Sequence, residues 1–186
     1  MVAKWFDFVM PSGKTHDAIT FLLAVPVFAG AYAVSRSGPI ALAVTGAFLF
    51  GGLMFGPDLD TVSKQASRWG IFKPLWYPYR VCFKHRSRWS HGLVFGTLFR
   101  VIYFIGITTV LLFGIAYAAS SLLGRELPDA FAFIREWRTV GEFVRSEFGS
   151  EIVPAIFVGM WTGAASHTLT DIAGTFVKTG RVGEFL

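Results

Sequence analysis

The chain has 186 residues, of which 53% are hydrophobic and 16% charged, with a formal net charge of +5 and a mean hydropathy of +0.53. The charged share lies well below the roughly 25% usual for a soluble domain, so composition favours a chain embedded in lipid, with a soluble all-helical bundle as the alternative. A single cysteine, Cys82, excludes an intrachain disulfide framework.

A helix needs about 20 apolar residues to cross a hydrocarbon core of about 30 Å, and four stretches qualify, at 18–35, 39–56, 92–119 and 152–176. The first contains Pro26 and is opened by Thr15, His16 and Asp17. Residues 18–30 followed by Ala31-Tyr32-Ala33 also imitate a cleavable signal peptide, a reading that would discard His16 and Asp17. The second, rich in glycine, ends in GPDLD at 56–60. Between spans two and three, the run WGIFKPLWYPYRVCF interleaves aromatic and basic residues, as expected of a segment at headgroup depth. That loop closes with HRSRWSHG at 85–92. The third span carries one charge, Arg100, close enough to its end to snorkel to the interface. Between Pro128 and Gly149, Phe131, Ile134, Trp137, Val140, Val144 and Phe148 recur at three- and four-residue steps, which predicts an amphipathic helix lying flat on the membrane surface. The last span holds SHTLTD at 166–171.

No repeat or low-complexity tract divides the chain, so a single membrane-embedded domain over residues 1–186 is expected. The fold class is all-α: a polytopic bundle of four transmembrane helices with an interfacial amphipathic helix and a long aromatic and basic loop. Four crossings put both termini on one side, together with the loop at 57–91. That side carries eleven lysines and arginines against five on the other, so the positive-inside rule makes it cytoplasmic. The same bias accounts for the positive net charge without nucleic acid. The expected location is a bacterial inner membrane or thylakoid, with the bilayer as the first partner.

All four histidines, His16, His85, His91 and His167, fall at this one end of the bundle, together with Asp17, Asp58, Asp60 and Asp171. Helix bundles build metal sites from side chains on facing helices. His167 and Asp171 are four apart on one helical face, and an extended PDLD would turn Asp58 and Asp60 to the same side. Imidazole with carboxylate suits zinc first, with manganese or iron as alternatives. Two divalent ions would neutralise the four aspartates. Each piece also has a plain structural role: Thr15 or Asp17 as a helix cap, PDLD as a turn, HRSRWSHG as a lipid-headgroup patch. Asp171 resists such a reading, because a carboxylate inside a span costs about 2.5–3.5 kcal/mol.

HD near the start, PDLD, HR followed by SH, and SHxxxD in the final span together resemble the YdjM-like family of membrane-bound metal-dependent hydrolases. MPSGKTHD, FLFGGLMFGPDLD and HRSRWSHG are similar to a mainly cyanobacterial branch of metal-binding proteins of unknown function. The resemblance implies metal ligands at His16, Asp17, Asp58, Asp60, His85, His91, His167 and Asp171, and leaves open which of His85 and His91 contacts the metal directly. The expected activity is hydrolysis of a phosphoester or another anionic amphiphile, such as an anionic lipid or a small phosphorylated compound. Asp17 or Asp60 would accept the proton and Arg86 would hold the substrate's charge. The alternative is a non-catalytic metal-binding membrane protein for storage, sensing or assembly. A transporter is disfavoured, because the middles of the spans carry no ionisable groups.

Overall fold

The structure is a computed structural model that describes residues 13–83, 89–90, 92–93 and 95–179. Among them every regular element is helical. α1 (Gly13–Ser35), α2 (Gly38–Leu53), α5 (Phe95–Leu122) and α7 (Ile152–Thr179) are long. Four segments, Gly13–Ser35, Gly38–Asp60, Phe95–Leu122 and Ile152–Val177, are long and apolar enough to cross a membrane, so the chain is an all-helical membrane protein. Short helices α3 (Lys64–Ser67) and α4 (Tyr77–Cys82) and 3₁₀ turns at Pro57–Asp60 and Gly70–Trp76 fill the loop between α2 and α5. The amphipathic segment is α6 (Ala130–Phe148).

The chain divides into two compact units, one of residues 1–100 and 154–186, the other of residues 101–153. In the first, α1 and α2 form a hairpin across a two-residue link. Arg36, at φ 53°, turns the chain, and Ser37 caps α2 by accepting from the Ile40 N–H. α2 and α7 meet backbone to backbone. A Cβ on Gly163 would stand 2.1 Å from the Phe48 carbonyl oxygen, and one on Gly159 would stand 2.3 Å from that of Val44. This is the small-residue packing by which helices associate in lipid, where apolar side chains gain nothing by leaving one apolar solvent for another.

The loop folds into a cap over the end of α2. The last carbonyls of a helix lack intrahelical donors, and here three side chains one helical face apart supply them: Gln65 to Gly52 O at 2.8 Å, Arg68 to Leu53 O at 2.7 Å and Trp69 to Met54 O at 2.8 Å. Trp76 and Tyr79 are fully buried under the cap, and Trp76 meets Phe55, Trp69 and Tyr79 edge-on. Ile71, Phe72, Tyr77 and Val81 stay exposed on its outer side. The aromatic loop therefore has two faces, and only the outer one suits the headgroup layer expected of the whole segment.

Arg100 does not snorkel. It is 2% exposed, donates to Ser90 O at 2.6 Å and to Thr97 Oγ1 at 3.0 Å, and lies in the field of Tyr79. Burial pushes the Tyr79 hydroxyl above the ordinary tyrosine range, against the pull of Arg100 and with a smaller push from Asp60. Arginine's five donors allow one buried cation to hold the segment before α5 against the first turns of that helix.

In the second unit α6 is capped by Asp129, which accepts from Ala132 N–H at 2.7 Å, and ends at Gly149, φ 89°. Trp137 donates to Thr109 at 2.7 Å, and Phe133 meets Phe113 edge-on. These contacts run in opposite chain directions, so α6 folds back antiparallel along α5. Phe131, Ile134, Val140 and Phe143 remain exposed on it.

Candidate metal centre

α1 starts at Gly13, ahead of the expected boundary at 18, so His16 and Asp17 lie inside the helix and neither Thr15 nor Asp17 stands at a cap position. His16 is buried and faces α7, where His167 and Asp171 share one face at i, i+4. The two imidazoles stack with centroids 3.8 Å apart and planes 13° from parallel. Asp171 spans both rings: His16 Nε2 lies 3.2 Å from Oδ1 and His167 Nε2 lies 3.6 Å from Oδ2. One ligand atom from each of His16, His167 and Asp171 falls within 4.8 Å of the others.

PDLD supplies one neighbour to this group. The expected extended strand would have turned Asp58 and Asp60 the same way, but the segment is a 3₁₀ turn, in which positions two apart diverge by about 120°. Asp58 points to the cluster, its Oδ2 3.3 Å from His167 Nε2. Asp60 is buried in the field of Tyr79 and Arg100 instead. Asp17 also leaves the expected ligand set. Its carboxylate pairs with Lys64 and, at 2.7 Å, with Arg68, because it lies next to His16 in the chain but about 100° around the helix. His85, His91 and Arg86 lie outside the described residues.

Sequence reasoning missed Gln65. Gly56 has no Cβ because one would stand 2.3 Å from the Gln65 amide, and through this gap Gln65 reaches three partners. Its Oε1 accepts from Asp58 N–H at 3.2 Å, and its Nε2 donates to Gly52 O and lies 3.1 Å from His167 Nδ1. With both ends of the amide committed, Nδ1 is the acceptor and the proton of the neutral ring sits on Nε2, directed at the carboxylates. The only advance signal was the Q-x-x-R-W spacing, which places Gln65, Arg68 and Trp69 on one face.

The donor set fits a divalent cation. Two imidazoles and two carboxylates converge, and His16 Nδ1 and His167 Nε2 are buried without a well-formed hydrogen bond among the described residues. Coordination through His167 Nε2 requires its proton to shift to Nδ1 and the Gln65 amide to turn. The group opens on a cleft of about 230 Å³ lined by His16, Asp17, Asp58, Lys64, Arg68 and His167 among others.

Fold and site thus define a helical membrane protein with a histidine and aspartate group of metal-binding type. Residues 11–181 match the family of uncharacterized metal-binding proteins DUF2227, and the chain belongs to that family. A curated protein from Aquifex aeolicus (strain VF5), itself described as uncharacterized, is 34% identical over 139 residues, which cover 70% of this chain and 89% of that protein. No solved structure matches the chain.

Proposed function

We propose that the protein is a membrane-embedded, metal-dependent hydrolase acting on a phosphoester or another anionic amphiphile. The observation that carries this reading is the cleft beside the His16, His167 and Asp171 group, because structural metal sites are closed by protein ligands while catalytic ones keep an open position. His16, His167 and Asp171 would hold a zinc ion, or manganese or iron in its place, with Asp58 left beside them. The second ion expected from the sequence would have to draw on Asp60, His85 and His91. A bound ion supplies Lewis acidity and an acidified water. Asp58, part exposed and lining the cleft, is the stronger proton acceptor, since two cations draw on the charge of Asp17.

A binding-only role is favoured by the same Asp58, which lies near enough to His167 to fill a fourth coordination position. Elemental analysis of detergent-purified protein, paired with a phosphoesterase panel, separates the two. His16→Ala and Asp171→Asn are each expected to lower metal affinity at least about tenfold and to abolish turnover. Full metal retention by both variants would remove the proposed centre. Metal loss in the variants, with no hydrolysis by wild type on any ester, would leave binding alone.

A further inference from the structure

Asp17 is neutralised twice. Arg68 pairs with it at 2.7 Å and is also committed to the Leu53 carbonyl, so it serves the fold. Lys64 pairs with the same carboxylate oxygen. Its stem lies over Gly13, where a Cβ would stand 3.2 Å from Lys64 Cδ, and its side chain is 46% exposed on the wall of the cleft. Arg68 alone can hold Asp17, so Lys64, at the mouth of the site, has donors to share with a ligand.

We infer that Lys64 forms an anion subsite that takes the phosphate-type group of a ligand, and that it does so only after the metal has bound. This rests on the reading of the cleft as a metal-dependent site. Without metal, Asp17, Asp58 and Asp171 outnumber Lys64 and Arg68 by one negative charge, with the imidazoles neutral. A divalent cation reverses the balance to one positive charge, and Lys64 carries it on the open side. The three donors of an ammonium allow it to keep Asp17 and hold a phosphate oxygen together.

Calorimetry on full-length protein in detergent, with and without zinc, tests the subsite. Inorganic phosphate and soluble dihexanoyl phosphatidic acid serve as separate probes. Binding is expected only to zinc-loaded protein, weakened about tenfold in Lys64→Ala and restored in Lys64→Arg, with zinc content unchanged because Arg68 still holds Asp17. Tighter binding of phosphatidic acid than of phosphate identifies a lipid headgroup as the source of the anion; equal binding identifies a free phosphate. Phosphate binding to zinc-free protein, or undiminished binding by Lys64→Ala, overturns the subsite while leaving hydrolysis to stand. Zinc-loaded wild type that binds neither probe overturns it as well, and if that protein also hydrolyses no ester the hydrolase reading falls with it.

Discussion

The proton on His167 is placed by a glutamine. Gln65 Oε1 is held by the Asp58 backbone and its Nε2 by the Gly52 carbonyl, so turning the amide would set donor against donor and acceptor against acceptor, at about 1–3 kcal/mol for each group left unsatisfied. In metal-free protein at a pH where the ring is neutral, tautomer-sensitive ¹⁵N spectra of the imidazoles are expected to show His167 protonated on Nε2. Zinc should move that proton to Nδ1. A metal-free ring already protonated on Nδ1 contradicts the part assigned to Gln65. The same residue-scale logic separates Asp58 from Asp60: one 3₁₀ turn sends the first to the histidines and the second to Arg100 and Tyr79.

At the scale of the helices, the site depends on α2 and α7 standing closer than any side chain allows. Gly163 meets Phe48 O and Gly52 N, and His167 follows one turn later on α7. Gly163→Leu must force the two backbones apart, at a cost of about 1–3 kcal/mol, and is expected to lower the thermal midpoint by roughly 4–8 °C at the centre of that range and to loosen metal binding. Gly30, in α1, has nothing within 4 Å of the point a Cβ would occupy, so Gly30→Ala is the control that leaves both unchanged. Equal melting of the two variants would show that close packing is not what holds the helices.

For the whole molecule, sidedness rests on charge alone. Eleven lysines and arginines on one side against five on the other predict both termini in the cytoplasm. Reporter fusions at each terminus should be active only for a cytoplasmic reporter, and a periplasmic signal from either would invert the topology and place the cleft on the outer face.

Hydropathy sufficed for the four spans, since crossing lipid demands length and apolarity that few other structures need. It set the ends of α1 less well, because His16 and Asp17 read as polar boundary residues while tertiary partners let the helix contain them. The gathering of His16, His167, Asp58 and Asp171 was legible from alternating helix directions, which bring distant motifs to one end of the chain's zigzag. Which aspartates join the histidines was not. That choice came from the local 3₁₀ turn, from Gln65 passing beneath Gly56, and from the two cations that a segment remote in sequence brings to Asp17. A sequence specifies which groups share an end of a membrane protein through periodicity and length; their distances to one another depend on close packing, which only the folded chain determines.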